Sequence, residues 1–562
     1  MSPLKDEVDL ERAQALMRSD KTGFAPSMNQ ADAGVGMSEY QNRGLSASAA
    51  LDRSIERPWV VLKQTLLVAA LILLPLFYTV VPPLEDYPNH LARMQALAGI
   101  PGNESLSRFY EVAWAPIPNL IMDLIVPPLV PFFGVYSAGR IFVGLTLLLM
   151  LIGPMLLHRT LDGRWSAWPL VGGLFVYNGF LFTGLMNYLF GVGAAVLGLS
   201  VWIRLCGKPV IVRAVASLAF CTVLYVCHLS ALGLYGLGIA SFEFWRLWTQ
   251  KAWKPAPLVR SAVALGVPFL PFLYLLVTSP TWGLSHDIVW ESQGKFEAVT
   301  LFLSVYSDVT DIPFLILIAV AIGIAVKRGL VSFHPAGLIV AGVLTLAFLV
   351  MPRMAFGSWM ADQRIVVGIF FMTLGFISVD LKRLENHNAF FAVCLVAIAF
   401  RVVDVSAHWV AISQPLQELK SSLRLMPSGS RLLVTQADDP AEGAIDAALS
   451  HAPNLAVIER SALVSRLFVV PGKQILHTRK EYRSHVDTED GDTPRISQVI
   501  VAAEDEGAPA DGPHYWDGWT EFYDYLIVLG TDTDETANPA PDLLKIVHNG
   551  RGFQLYKVRK DS

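Results

Sequence analysis

The chain has 562 residues, of which 53% are hydrophobic and only 16% charged, with a formal net charge of −5 and a mean hydropathy of +0.46. A soluble globular chain carries roughly a quarter charged residues, so a wholly water-soluble protein is excluded, and without a basic stripe nucleic acid is excluded as a partner. The four cysteines, Cys206, Cys221, Cys227 and Cys394, lie in or beside apolar runs and offer neither a disulfide framework nor zinc-ligand spacing.

Residues 1–57 are polar and rich in Ser, Ala, Gly and Asn, which reads as a disordered tail. The opening MSPLKDEVDLERAQ has no apolar core of the signal-peptide kind, so the first span is expected to direct insertion. Apolar runs of about 17–22 residues then recur, the length that crosses a hydrocarbon core as a helix. They lack the alternation of barrel strands. Spans are expected near 59–81, 138–157, 167–184, 189–205, 210–227, 229–246, 261–278, 312–326, 333–351, 365–380 and 389–409, about eleven in all.

The apolar stretch NLIMDLIVPPLVPFFG (119–134) is short and carries Asp123 and three prolines. Leaving it out of the spans puts Arg159/Arg164, Arg204/Lys208/Arg213, Arg246/Lys251/Lys254/Arg260, Lys327/Arg328 and Lys382/Arg383 on one side, which the positive-inside rule makes the cytoplasm. The N-terminus is then cytoplasmic. Residues 58–410 form the membrane domain with one long outer loop at 82–137, and residues 411–562 form a soluble α/β domain outside, periplasmic if the membrane is a bacterial inner membrane. In that domain RLLVT (431–435) and YLIVLG (525–530) read as buried strands, ERSALVSRLF (459–468) has helical spacing, and KIVHNGRGFQLYKV (545–558) reads as a hairpin. DTEDGDTPR (487–495) lacks the ligand spacing of a calcium loop and reads as a solvated loop.

The outer loop opens with PPLEDYPNHLAR (82–93), in which Asp86, His90 and Arg93 are spaced i, i+4, i+7 and share one face of a helix. The bland alternative makes Asp86 a helix cap before Pro88 and leaves His90 and Arg93 among lipid headgroups. Other outer-face residues gather with them: Asn178 and Asn187, His228, Lys295, Arg353 and Arg364. Basic residues are scarce outside, and an anionic lipid phosphate would give these cations a task.

The order of first span, acidic motif, amphipathic outer loop and second span entered through Ala-Gly-Arg, with FFGVYSAGR (132–140) at that entry, resembles the GT-C superfamily of integral membrane glycosyltransferases. The resemblance implies a polytopic α-helical fold and a hexosyl- or pentosyltransferase. Such an enzyme moves a sugar from a polyprenyl-phosphate donor to a glycan, lipid or protein acceptor at the outer face, with inversion. It assigns Asp86 as general base and Glu85 as its neighbour. Donor phosphate and substrate binding fall to His90, Arg93, Asn187, Lys295, Arg353 and Arg364. Two departures stand out: EDYPNHLAR replaces the Asp-Glu-x-x-Tyr type of motif, and Ile117 stands before Pro118 where some members place a phosphate-binding Lys. The resemblance leaves metal dependence open, and the Glu85–Asp86 pair offers a place for a divalent cation, Mg²⁺ or Mn²⁺. The aromatic run HYWDGWTEFYDY (514–525) offers either sugar stacking or core packing. Two other classes compete, a non-catalytic component of an envelope-polysaccharide assembly and a lipid or sugar transporter or flippase. The sequence shows no internal repeat of the transporter kind.

Overall fold

The structure, a computed structural model, describes residues 58–381, 387–440, 443–488, 491–504, 513–531 and 537–560. The expected tail at 1–57 and the basic pair Lys382/Arg383 lie outside the described residues, as do residues 489–490 of the acidic stretch. Seven helices among the described residues are long and apolar enough to cross a membrane: Pro58–Tyr78, Ile121–Asp162, Met186–Arg204, Val210–Cys227, Pro255–Thr278, Thr310–Lys327 and Asn388–Leu423. The apolar helices Leu229–Thr249, Pro335–Val350 and Ile365–Leu374 pack among them. Outward faces display Leu62, Leu66, Ile211, Ile316, Leu317, Val393 and Val396 to the surroundings. Each such side chain would cost about 1.5–3 kcal/mol of lost burial in water, so these faces require lipid. The chain is a polytopic helical membrane protein with a C-terminal α/β domain.

The structure redraws three regions, only the first of which is an expected span. Residues 167–184 do not form a regular helix: Trp168–Leu174 is a 3₁₀ segment and Gly179–Phe182 a single turn begun by Asn178, whose Oδ1 accepts from the N–H groups of Phe180 and Leu181. Gly172 and Gly173 bring this backbone against Leu374 and Ile398, where a Cβ would stand 3.0 and 3.1 Å from those side chains. Segment 119–134 is a set of short helical pieces, Ile121–Ile125, Pro127–Leu129 and the start of Val130–Asp162, interrupted by Gly134 at φ 71° and ψ 155°. The third difference is at the expected boundary of 410/411, which falls inside one continuous helix, His387–Leu423. Its 37 residues span about 55 Å at 1.5 Å per residue, well beyond the ~30 Å hydrocarbon core, so its last turns stand clear of the membrane and carry the C-terminal domain.

That domain is built on a five-stranded sheet of order β5-β4-β7-β9-β8, with β4 Arg431–Gln436, β5 Leu463–Val464, β7 Tyr525–Leu529, β8 Leu544–Gly550 and β9 Phe553–Val558. Strands β5 and β7 both run parallel to β4, on opposite sides of it, and β8–β9 is the expected terminal hairpin. The expected helix at 459–468 ends at Arg460, because Ser461 takes the left-handed conformation at φ 49° and the chain turns into β5. Trp519 is fully buried and donates its Nε1–H to Val499 O, so the aromatic run 514–525 packs the core. The remaining strands, β1 Tyr110–Val112, β2 Val331–Phe333, β3 Ile377–Val379 and β6 Leu476–Thr478, form two short antiparallel pairs. Of these, β1–β6 stitches the outer loop to the C-terminal domain.

Candidate active site

The first span ends at Tyr78, and the chain turns through Pro82 and Pro83 into the helix Tyr87–Gly99. Pro88 sits in its first turn, where a missing N–H costs nothing. Asp86 occupies the N-cap position but makes no side-chain cap bond. The capping role therefore does not account for its carboxylate. The backbone holds it in place: Glu85 N–H donates to Phe182 O at 2.8 Å and Asp86 N–H to Thr183 O at 3.2 Å. Gly184, at φ +89°, lies flush against the Asp86 backbone, and a Cβ there would stand 2.8 Å from Asp86 Cβ. The irregular 167–184 segment thus serves as the bed for the acidic motif.

Asp86 opens into a cavity of about 720 Å³. At one end the lining is apolar, with Leu234, Leu237, Leu344, Ala347 and Ile365 between the helices Leu229–Thr249, Pro335–Val350 and Ile365–Leu374. The polar end carries Glu85, Asp86, His90, His228, Arg364 and His451. Burial holds the Glu85 carboxyl above the usual carboxylate range. His90 is held well below the usual histidine value by burial first, then by Arg93 and His451.

His451 comes from the C-terminal domain, and its tautomer follows from its neighbours. Asn89 Oδ1 accepts from Phe468 N–H at 2.8 Å and its Nδ2 donates to Arg466 O at 3.0 Å, which fixes the amide orientation. The same Nδ2 faces His451 Nδ1 at 3.2 Å, so Nδ1 accepts. The imidazole proton then sits on Nε2, which points at Asp86 Oδ1 from 3.4 Å.

Of the cations singled out in the sequence, the structure brings only Arg364 to this cavity. Arg93 is buried in a two-bond ion pair with Asp123, at 2.9 and 3.0 Å. It therefore fixes the outer-loop helix to the 121–125 segment and does not reach a ligand. Lys295 pairs with Asp362 at 2.8 Å and donates to Phe348 O and Met351 O. Arg353 pairs with Glu297 at 3.2 Å and stacks on Trp359. These two tie the loop 351–364 to the helix Gln293–Leu303. Asn187 lines the cavity, but both ends of its amide are engaged: Oδ1 accepts from Met122 N–H, and Nδ2 donates to Asn119 O and Oδ1.

Arg364 is 3% exposed and has no carboxylate within ion-pair distance among the described residues. Its Nε and Nη2 donate to Met360 O and Trp359 O. Burial lowers its pKa to about 10, opposed by Tyr188, Asp86 and Asp362, so it stays charged near neutrality. Its Nη1 lies 2.7 Å from His228 Nε2. A guanidinium only donates, so Nε2 accepts from Arg364, and the ring's Nδ1 stands 3.0 Å from Ser230 N. The buried guanidinium places a positive charge at the cavity wall, which an anionic oxygen satisfies. Sequence reasoning placed His228 on the outer face without a role and missed His451 altogether, because its contact with Asp86 joins segments far apart in the chain.

No family model and no curated protein matches the chain. Among solved structures, it is similar to ArnT from Cupriavidus metallidurans in the apo state, with 14% identity, coverage of 89% of this chain and 97% of that one, and a TM-score of 0.49. It is similar also to ArnT from the same organism bound to undecaprenyl phosphate, with 13% identity, coverage of 89% and 98%, and a TM-score of 0.48. Likeness at this level leaves the activity to be argued from the site.

Proposed function

We propose that the chain is a membrane glycosyltransferase that takes a sugar from a polyprenyl-phosphate donor and passes it to an acceptor hydroxyl at the outer face, with Asp86 as general base. The observation that carries this reading is one cavity that joins an apolar groove between helices, a buried arginine that has no carboxylate within ion-pair distance among the described residues, and the Asp86 carboxylate, which makes no helix-cap bond. An apolar tail fits the groove, and a lipid phosphate fits the positive charge of Arg364 at the cavity wall.

Asp86 takes the proton from the acceptor hydroxyl as its oxygen attacks the anomeric carbon. The bond from that carbon to the phosphate oxygen breaks, and the lipid phosphate leaves with the electron pair, its charge met by Arg364. A single displacement inverts the anomeric centre. His451 Nε2 stands 3.4 Å from Asp86 Oδ1 and orients the carboxylate. Glu85 is a neighbour of the base in this step. The acceptor class, the outward orientation of this face and the bacterial inner membrane belong to the same reading.

The test is Asp86→Asn in the full chain in lipid nanodiscs. Binding of undecaprenyl phosphate should stay within twofold of wild type, while transfer of labelled sugar from polyprenyl-phosphate donors to an envelope extract falls by about 10² to 10⁴. A variant that transfers at the normal rate removes Asp86 as the base and leaves the non-catalytic assembly component as the reading.

A further inference from the structure

A second cavity, of about 420 Å³, adjoins the first on the side of the C-terminal domain, and the two share Glu85, His451, Arg466 and Asp492. Its remaining wall includes Gln436, Arg495 and Gln498. Gln436 is the last residue of β4, held there by its N–H to Pro494 O at 2.9 Å and a bridge to Arg495. Strand β4 has a parallel neighbour on each side, and the chain visits β5 on one side before returning to β7 on the other. That is a topological switch point, and open α/β sheets bind ligands in the crevice outside the carboxyl ends of their strands at such a point. Here the crevice is lined by Glu85, next to Asp86 in the chain, and by His451, whose Nε2 stands 3.4 Å from Asp86 Oδ1.

The lining chemistry narrows the ligand. Two carboxylates, Glu85 and Asp492, balance two guanidiniums, Arg466 and Arg495, so the wall selects no net charge. Arg466 is itself paired with Asp487 at 3.3 Å. Carboxylates accept from hydroxyls, guanidiniums donate to them and the amides of Gln436 and Gln498 do both. Apolar side chains are absent from this wall among the described residues, which excludes an acyl tail.

We propose that this crevice is the acceptor subsite and that it holds the end of a neutral, polyhydroxylated glycan, presenting one hydroxyl to Asp86. The inference rests on the transferase reading and adds to it the class of acceptor and the part of the chain that selects it. The glycan end comes from one of two sources, a free oligosaccharide or the headgroup of a glycolipid, and both bring the same hydroxyl chemistry.

The experiment is thiol protection in the full chain in nanodiscs. Cys221, Cys227 and Cys394 are buried and Cys206 is half-buried, and none lines either cavity, so wild type sets a low background. Gln498→Cys places a thiol at the crevice rim, and Thr493→Cys gives a second one. Labelling by a polar thiosulfonate is timed with three probes: a water-soluble oligosaccharide fraction from bacterial envelopes, a purified glycolipid fraction, and undecaprenyl phosphate. At least one glycan fraction should slow labelling at both positions threefold or more, and the fraction that does so identifies the source. Undecaprenyl phosphate should change the rate by less than 1.5-fold. Protection by undecaprenyl phosphate, or by neither glycan fraction, overturns the assignment. Glycan protection in a chain that does not bind undecaprenyl phosphate at all leaves the crevice a glycan site and removes the donor reading instead.

Discussion

His451 Nε2 lies 3.4 Å from Asp86 Oδ1, so the proposed base is held by a side chain from the far end of the sequence. A hydrogen bond to a charged group contributes about 1.5–3 kcal/mol. His451→Phe should therefore reduce sugar transfer by roughly ten- to a hundredfold, with His451→Gln, which keeps an N–H donor, closer to wild type. Initial rates at saturating donor measure this. Equal losses in both variants would mean that the ring packs against Phe468 and does not hold the carboxylate.

Arg364 should separate cleanly from Lys295 and Arg353. Arg364→Gln should weaken undecaprenyl phosphate binding tenfold or more, equal to about 1.4 kcal/mol. Lys295→Gln and Arg353→Gln break ion pairs outside the cavity and should change thermal stability while leaving that affinity within twofold. Titration of each variant in nanodiscs decides it, and an unchanged Arg364→Gln affinity would move the phosphate elsewhere.

Breaking the Arg93–Asp123 pair from one side strands a buried charge, which costs about 3–5 kcal/mol. Arg93→Leu should thus yield little folded protein. Asp123→Leu added to Arg93→Leu removes both charges and should restore much of the yield. Detergent-stable monomer by size-exclusion chromatography measures the recovery.

His90 gives a pH signature in stability. Its folded pKa lies well below 6.5, so below about pH 6.5 the unfolded chain binds a proton that the folded chain does not. Stability from this group is complete above the unfolded value and is lost as pH falls through the window beneath it. His90→Gln should make the decline in unfolding temperature between about pH 7 and pH 5.5 shallower. The decline does not vanish, because burial also lowers His477 and His485. An unchanged slope would show that His90 titrates normally.

What the sequence made legible followed from local pattern. Long apolar runs announced spans, β4, β7 and the terminal hairpin matched short apolar strand signals, and the motif at 82–93 announced a polar exit from the first span. The failures have local causes too. Residues 167–184 are as apolar as a span, yet Pro169, Gly172, Gly173 and the capping side chain of Asn178 break the helix, and apolarity alone does not register that. At the site, spacing placed Asp86, His90 and Arg93 on one face, but Arg93 turns to Asp123, thirty positions on. Which cations were already spent on carboxylates, and which histidine met Asp86, depended on contacts between distant segments, and periodicity carries no trace of these.

The β1–β6 pairing has a consequence for how the protein comes into being. Tyr110, Glu111 and Val112 wait for Thr478, His477 and Leu476, and Asn89 waits for Phe468. A ribosome that has delivered every membrane helix has still not delivered the partners of the outer loop. During that interval Asp86 stands without His451, and the larger cavity lacks the wall that Arg466, Phe468 and Gln474 supply. The last part of the chain thus acts as a completion signal. A truncated product would settle in the bilayer with its helices intact and, on the proposed function, remain inert until the whole molecule is made.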